Sequence, residues 1–290
     1  MSKNILILGA NGMLGGSLHR YFSATANNVI GTVRSNSALK KLNNMGFDNV
    51  ISDIDVTDHD ALANVIYKTK PDYIFNCIGL IKQVEQGNHP VLAIEINSLL
   101  PHKLAELATK VGGRLVHFST DCVFSGSTGS YTENDIPDAT DIYGRSKLLG
   151  EVAYDNHLTL RTSIIGHEID SNVSLIDWFL NQTGSVNGFS NAIFSGLPTC
   201  YVAEFINDYI FPNPSVSGLY HLSVDPINKY DLLNLVKSIY SKDIVINDSP
   251  KFKIDRSLNS NALRDAVHYT PPVWQDLITR MHDEYKKFFQ

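Results

Sequence analysis

Short apolar runs alternate with amphipathic stretches from the start of the chain. Five runs predict buried strands, at residues 5–8, 28–33, 73–76, 114–118 and 158–161. Helical patterns lie near residues 13–23, 37–45, 58–69, 91–111 and 142–154. Alternation of strand and helix at this spacing implies right-handed crossovers and a parallel sheet with helices on both faces. The pattern therefore predicts an α/β fold built on a doubly wound parallel sheet.

The regular alternation of predicted strands and helices stops after about residue 165. A loop is predicted at 213–218, a further strand at 219–223, and helices near 227–240 and 272–288. The last helix carries an apolar stripe that predicts packing against the body of the protein (Trp274, Leu277, Ile278, Met281, Tyr285 and Phe288). We predict a first domain over residues 1–165 and a smaller lobe made mainly of residues 166–290. A segment near 199–224 is expected to return to the first domain's sheet.

Composition narrows the functional classes. The 290 residues carry a net charge of −6, with a pI near 5.9, which gives no electrostatic reason to expect nucleic acid or acidic membranes as partners. The three cysteines form no C-x-x-C pair, and the first apolar run is too short for a signal peptide or a membrane span. We therefore expect a cytoplasmic protein.

The histidines do not point to a metal. None of the ten forms an H-x-x-H or H-E-x-x-H pair, so no catalytic metal is predicted. His117 and His221 stand inside apolar strands, where a hydrogen-bonded core histidine is the expected role.

The segment "ILILGANGMLGG" places Gly9, Gly12 and Gly15 directly after the first strand and at the start of a helix. The first glycine permits a tight turn, the second lets the backbone approach a pyrophosphate, and the third brings helix and strand together. The N–H groups at the start of the helix can then bind phosphate. This context predicts a dinucleotide site on a Rossmann-type sheet.

The residues after the second strand indicate which dinucleotide binds. NAD sites usually present an acidic residue there to the ribose hydroxyls. The segment "GTVRSNS" offers Arg34 and Ser35 instead, and an arginine can pair with a 2′-phosphate. We predict a preference for NADP(H), with NAD(H) as the alternative cofactor and a solvated loop arginine as the alternative interpretation.

Residues at the end of the fifth strand and in the helix that follows it suggest proton transfer. Ser119 and Thr120 end the fifth strand, and Tyr143 and Lys147 are spaced to share one face of the helix that follows. The spacing alone proves little in a chain with 13 tyrosines. A free phenol has a pKa of about 10, and a nearby ammonium lowers it toward the useful range. Thr120 could supply a second hydrogen bond to the reacting oxygen, so the set suits protonation of an alkoxide formed by hydride addition.

These segments resemble the extended short-chain dehydrogenase/reductase superfamily, and within it the dTDP-4-dehydrorhamnose reductase family. The likeness rests on "GANGMLG", "STDCVFSG", "YGRSKLLGE", "LRTS" and "SGLPT". It implies Thr120, Tyr143 and Lys147 as the catalytic set, with Lys147 also holding the nicotinamide ribose. The cofactor-binding set, as the glycine loop and the resemblance imply it, is Gly9, Asn11, Gly12, Met13, Gly15, Arg34, Ser35, Asp55, Val56, Cys77, Ile78, Gly79, Asn97, Tyr143 and Lys147.

The sequence departs from the family pattern where the sugar should bind. Cys122 replaces the family's aromatic residue after "STD", and "IIGHE" replaces an aromatic-rich segment. "DRSLNS" (255–260) resembles a family stretch around the sugar nucleotide. The predicted substrate contacts are Ser119, Cys122, His167 and Arg256.

The resemblance implies NADPH-dependent reduction of the 4-keto group of a nucleotide-linked deoxysugar, for cell-surface polysaccharide sugars. Two alternatives stay open. One is a nucleotide-sugar epimerase on the same scaffold, which would retain NAD tightly. The other is a dinucleotide-binding regulatory subunit without catalysis, as some relatives of this family are. A homodimer is expected by analogy with relatives.

Overall fold

The structure is a computed structural model, and it describes residues 2–81, 89–169 and 171–290. Its strands are β1 (Asn4–Leu8), β2 (Asn28–Thr32), β3 (Val50–Ile51), β4 (Tyr73–Asn76), β5 (Arg114–Thr120), β6 (Leu158–Thr162), β7 (Ile164–Ile165), β8 (Ser185–Phe189), β9 (Ala192–Phe194), β10 (Leu197–Pro198), β11 (Gly218–His221), β12 (Ile227–Asn228), β13 (Val245–Ser249) and β14 (Ile254–Asp255). Its α-helices are α1 (Met13–Ser23), α2 (Asn36–Asn44), α3 (His59–Thr69), α4 (Pro90–Ala93), α5 (Leu100–Lys110), α6 (Ile142–Leu149), α7 (Leu175–Leu180), α8 (Thr199–Phe205), α9 (Lys229–Ile239), α10 (Asn261–Val267) and α11 (Trp274–Phe288).

The largest sheet in the described residues has seven strands, all parallel, in the order β11-β6-β5-β4-β1-β2-β3. The chain runs from β1 outward through β2 and β3, then crosses back to place β4 on the other side of β1. At this reversal the connections after β1 and β4 diverge and leave a crevice at the carboxyl ends of the strands. The predicted Rossmann-type fold is confirmed.

Both faces of this sheet are covered by helices. On one face, α1 and α8 pack against the strands through a core that includes Leu18, Phe22 and Phe205. On the other face, α3 and α5 contribute a second core that includes Ile66 and Leu104. All five side chains are fully buried. The strands read as continuous apolar runs because each of their faces meets a helix.

Two predicted helices differ from the structure. The segment predicted at 91–111 is α4 and α5 joined by a π-helical turn, Ile94–Leu99. The helix predicted at 142–154 ends at Leu149, and Gly150 follows it. A Cβ atom on Gly150 would lie 1.9 Å from the backbone oxygen of Asn97, so only glycine permits the close approach of this position to the π-helical turn.

A third core lies under the short strands of the carboxyl-terminal half. It joins α7, α9 and α11 through buried apolar side chains such as Phe179 and Val236. Helix α11 contributes Leu277 to the core beneath the main sheet and Ile278 and Met281 to this third core. The predicted domain boundary at residue 165 stays a prediction. β11, which comes from the later part of the chain, lies in the main sheet beside β6. Within the described residues, no helix has both the length and the apolar character needed to cross a membrane.

Candidate active site

The glycine loop closes tightly between β1 and α1. Gly9 has a left-handed φ of 84°, and its carbonyl accepts a hydrogen bond from the N–H of Gly12 at 3.0 Å. A Cβ atom on Gly15 would lie 2.1 Å from the Gly9 oxygen, so only glycine permits this approach of helix to strand. Because Gly12 caps α1 and has no side chain, the first amides of the helix face outward. The loop therefore fits a pyrophosphate.

A cavity of about 450 Å³ adjoins the loop, lined by Asn11, Ser35, Ser37, Ala38, Lys40, Lys41 and Asn44. Ser35 caps α2, and its hydroxyl oxygen lies 2.9 Å from that of Ser37. Arg34, two residues after β2, is exposed. Hydroxyl groups and cations thus surround a space that opens beside the phosphate-binding loop.

Asp55 and Val56, two of the predicted cofactor-binding residues, follow β3. Asp55 is exposed, and its carboxylate accepts hydrogen bonds from the N–H (2.9 Å) and the hydroxyl (2.7 Å) of Thr57. These two bonds hold the pKa of Asp55 below its usual range, and the charge of Arg34 adds to the effect. Val56 packs against the core shared with β1. Both therefore stand at the same edge of the sheet as the cavity.

The π-helical turn holds the segment after β4 in place. The Asn97 oxygen accepts the N–H of Leu80 at 2.8 Å, and its amide nitrogen donates to Leu80 O and to Ser146 Oγ, each at 3.1 Å. A Cβ on Gly79 would lie 3.4 Å from the Asn97 oxygen and 4.0 Å from Lys147 Nζ. The structure thus brings the end of β4, Asn97 and α6 together. Sequence reasoning missed Ser146, which no local pattern distinguishes.

Thr120 and Tyr143 meet at the carboxyl end of β5. The Thr120 hydroxyl accepts the N–H of Cys122 at 3.1 Å, donates to Asp121 Oδ1 at 3.2 Å and shares a hydrogen bond with the Tyr143 side chain. Asp141 caps α6 by accepting the N–H of Gly144 at 2.8 Å, which places Tyr143 in the first turn. Burial raises the pKa of the Tyr143 phenol, and its bond to Thr120 opposes the shift. The phenol is therefore held as a proton donor.

Lys147 lies one turn further along α6 and is buried. Its ammonium nitrogen donates to the carbonyl of Phe118 at 2.7 Å and lies 3.4 Å from His117 Nε2. Burial lowers the pKa of Lys147 to about 8, and the nearby Glu151 and Cys77 oppose this shift. The lysine can therefore change its charge near neutral pH.

Two of the predicted substrate residues meet on the side of the smaller lobe. Arg256 donates through Nε to the carbonyl of Phe124 at 2.9 Å, and its Nη1 lies 3.5 Å from the Cys122 sulfur. Ser119 differs from them, because its hydroxyl donates to Glu151 at 2.6 Å, on the opposite face of β5 from Thr120. Cys122 and Arg256 are thus in contact beyond the carboxyl end of β5.

Lys229, at the start of α9, was not found from the sequence. Its ammonium nitrogen lies 4.1 Å from the centre of the Phe194 ring. Burial lowers its pKa to about 8, and the nearby Asp121 and Cys122 oppose this shift. A single lysine more than 100 residues from Asp121 and Cys122 leaves no signal in the sequence.

His167 lies inside the smaller lobe and is only 2% exposed. Its Nδ1 is 2.5 Å from Asp177 Oδ1 and its Nε2 is 2.8 Å from the Tyr240 hydroxyl. Its ring also packs against Tyr285 at 4.4 Å. With both ring nitrogens engaged by the protein, His167 has no polar atom to offer a sugar, and we leave it out of the proposed site.

A glycine loop that fits a dinucleotide, next to a Thr–Tyr–Lys set on a doubly wound sheet, defines an NAD(P)-dependent oxidoreductase. Residues 3–286 match the family model of the RmlD substrate binding domain. The chain belongs to this family.

Known proteins similar to the chain include methionine adenosyltransferase subunits and dTDP-4-dehydrorhamnose reductases. Methionine adenosyltransferase 2 subunit beta of Bos taurus is 24% identical over 276 residues, which is 89% of this chain and 80% of that protein. A hypothetical dTDP-4-dehydrorhamnose reductase from Sulfolobus tokodaii is 25% identical, with a TM-score of 0.74 over 91% of this chain and 94% of that one. The Bacillus anthracis dTDP-4-dehydrorhamnose reductase in complex with NADP is 23% identical, with a TM-score of 0.80 over 98% and 99% of the two chains, and shares the fold.

Proposed function

We propose that this protein uses NADPH to reduce the 4-keto group of a nucleotide-linked deoxysugar that is built into cell-surface polysaccharide. The observation that carries the proposal is the meeting of Thr120, Tyr143 and Lys147 at one edge of the sheet, beside the glycine loop. The reductase names of similar solved structures support the choice of substrate class.

The three side chains have different roles in the transfer of the proton. The nicotinamide cofactor that the glycine loop would hold would supply a hydride for the carbonyl carbon at C4. Tyr143 donates its phenolic proton to the carbonyl oxygen, so that ketone, hydride and proton together give the alcohol. Thr120 holds the same oxygen through its hydroxyl. The Lys147 ammonium stabilises the phenolate that remains on Tyr143 and binds the ribose.

Replacement of Tyr143 by phenylalanine tests this assignment. We expect NADPH consumption with a 4-keto-6-deoxy nucleotide sugar to fall by about 10²- to 10⁴-fold, since the proton donor is lost. Affinity for NADPH should change by less than about threefold, because ring and helix stay in place. Tyr154→Phe, which removes an exposed phenol bound to His102, is the matched control. Normal turnover by the Tyr143→Phe protein would refute the role.

The preference for NADPH over NADH is a separate proposal. Its support is the exposed Arg34 beside a cavity lined by Ser35, Lys40 and Lys41, where a 2′-phosphate would meet cations and a hydroxyl group. We expect Arg34→Ala to weaken NADPH binding about tenfold or more in calorimetry and to leave NADH binding within about twofold. Lys68→Ala removes an equal charge from α3 as a control. Equal or tighter binding of NADH by the unaltered protein would contradict the preference.

We propose that the sugar nucleotide binds in the space between β5 and the smaller lobe. Cys122 and Arg256 lie there in contact, and the half-buried Lys229 faces Asp121 beside them. Two cations at this end suit the diphosphate of a nucleotide sugar. The base and the sugar's substituents are then chosen by the shape of the same space.

A regulatory subunit is the second candidate, because methionine adenosyltransferase subunits are among the similar proteins. The outcome that favours it is a stable complex with a methionine adenosyltransferase catalytic subunit in light scattering, together with no NADPH consumption on dTDP- or UDP-linked ketosugars. Turnover that depends on Tyr143 favours the reductase.

Location and assembly are proposals as well. The widely separated free cysteines support a cytoplasmic location, which cell fractionation tests. Exposed apolar side chains on neighbouring helices, Val91, Leu99 and Leu149, support a homodimer. A monomer mass in light scattering at micromolar concentration would contradict the dimer.

A further inference from the structure

His117 is fully buried in the middle of β5 and touches Lys147. Its Nδ1 lies 3.1 Å from the amide nitrogen of Asn76 on β4, and its Nε2 lies 3.4 Å from Lys147 Nζ. The imidazole therefore connects the end of β4 to the lysine of the proposed catalytic set. The proton transfer described above gives His117 no part.

The orientation of the Asn76 amide decides which nitrogen of His117 carries hydrogen. The Asn76 oxygen accepts the backbone N–H of Ile78 at 3.2 Å, so the amide NH₂ group is the one that faces His117. An amide NH₂ can only donate, and Nδ1 of His117 must therefore be a bare acceptor. Burial and the nearby Lys147 lower the pKa of His117 well below its usual value, so the ring is neutral and its hydrogen is on Nε2.

The N–H of His117 then points at Lys147. An ammonium group has only donors, and two donors would face each other across 3.4 Å. A neutral amine avoids the conflict, because its lone pair accepts from His117 while one of its N–H groups donates to Phe118 O at 2.7 Å. The surroundings of Lys147 thus favour the uncharged form.

We propose that His117 is a positioning residue which, through a tautomer set by Asn76, favours the neutral amine of Lys147 and weakens the hold of Lys147 on its proton. In the reduction proposed above, on which this role in turnover rests, the lysine must be an ammonium to stabilise the Tyr143 phenolate. Turnover should therefore be lost as the pH rises through the pKa of Lys147, near 8.

Other ionisable groups face this pair from each neighbouring element. Glu151, after α6, favours the ammonium, but its carboxylate is already paired with Arg161 at 2.7 Å. Cys77, after β4, also favours the ammonium, and burial outweighs both. His102 of α5 adds to the lowered pKa of His117. None of these groups directs an N–H donor at Lys147. The distinct contribution of His117 is that its Nε2–H does so.

Nitrogen NMR of the protein without ligands tests the tautomer directly. In protein labelled with ¹⁵N-histidine, the His117 signals, assigned by their absence in His117→Gln, should show hydrogen on Nε2 and none on Nδ1 at pH 7. Hydrogen on Nδ1, or on both nitrogens, would overturn the proposal. The measurement needs no substrate, so its result stands even if every ketosugar proves inert and the proposed function fails.

The substitution Asn76→Asp should reverse the tautomer of His117. A carboxylate accepts from Nδ1–H, which leaves Nε2 as an acceptor for the Lys147 ammonium. We expect the pKa of Lys147, followed by ¹³Cε NMR, to rise by about one unit or more, and the basic limb of kcat/KM to move with it. Asn28→Asp adds the same charge at the exposed start of β2 and should shift neither. An unchanged Lys147 pKa in folded Asn76→Asp protein would contradict the proposal; if that variant does not fold, the wild-type tautomer decides.

Discussion

Tyr143 and Lys147 show how burial acts on single residues of opposite charge type. Removal from water disfavours the charged form of each, so it raises the pKa of the phenol and lowers that of the amine to about 8. Without a ligand, Tyr143 is therefore a neutral phenol, and the ammonium of Lys147 is easily deprotonated. The spacing of four residues sets their shared helical face, but their surroundings set their proton affinities.

The glycine loop yields a prediction at the same scale. A Cβ on Gly15 would lie 2.1 Å from Gly9 O, whereas one on Gly12 would lie 3.4 Å from the same oxygen. Gly15→Ala should therefore lower the free energy of unfolding by about 1–3 kcal/mol in urea titrations. Gly12→Ala should lower it by less than about 1 kcal/mol, since only ordinary contact is made.

Dinucleotide binding separates these two variants further. The Gly12→Ala methyl group would stand where the backbone must approach a pyrophosphate, so NADPH affinity should fall about tenfold or more in calorimetry although the protein stays folded. Wild-type affinity in this variant would show that the loop does not bind the phosphates.

At the scale of elements, α6 is positioned by two close backbone approaches. A Cβ on Gly144 would lie 2.4 Å from Cys122 O, and one on Gly150 would lie 1.9 Å from Asn97 O. The first approach presses α6 onto the end of β5, and the second presses it onto the π-helical turn. Such turns within helices are frequent at functional sites. This one supplies Asn97, which holds the chain after β4.

Gly150→Ala should move the helix as a unit. Because the methyl group would meet backbone, we expect a loss of about 1–3 kcal/mol in the free energy of unfolding and a fall in kcat of about tenfold or more, as Tyr143 and Lys147 shift together. Asn156→Ala, at an exposed position in the turn that follows α6, is the control and should change either quantity little. Unchanged turnover in Gly150→Ala would argue against a positioning role for this contact.

At the scale of the molecule, α11 connects the two halves of the chain. It carries residues of two cores, and its Glu284 forms a buried ion pair with Arg20 of α1 at 2.8 Å and accepts a bond from Ser17 at 2.9 Å. The side chains of Arg20 and Glu284 are only 5% and 11% exposed. The sheet and the smaller lobe should therefore unfold together.

Removal of one partner from this pair should be strongly destabilising. Glu284→Ala leaves the Arg20 charge buried and unpaired, so we expect a loss of about 3 kcal/mol or more in the free energy of unfolding. Asp283→Ala breaks an exposed pair with Lys286 on the same helix and should lose less than about 1 kcal/mol. Equal effects, or a separate early transition of one half in Glu284→Ala, would contradict this account.

Local patterns were enough for much of the fold and for part of the site. The strand at 73–76 was predicted with its observed ends, and the spacing of Gly9, Gly12 and Gly15 predicted a turn that the structure contains. These features depend on neighbours within a few residues, so the chain's own periodicity carries them. The end of α6 at Leu149 was missed; the next residue, Gly150, lies against the backbone of Asn97, and no local pattern reveals this long-range contact.

Local patterns in the chain were thus enough to predict six of the seven strands of the main sheet, the glycine loop and the shared face of Tyr143 and Lys147, because all of these follow from short-range backbone geometry. Only the tertiary structure decided that His117 meets Lys147, that Arg256 meets Cys122, and that His167 is engaged inside the lobe. Those contacts join residues that folding brings together, and the burial that shifts their pKa values exists only once the surrounding elements have packed.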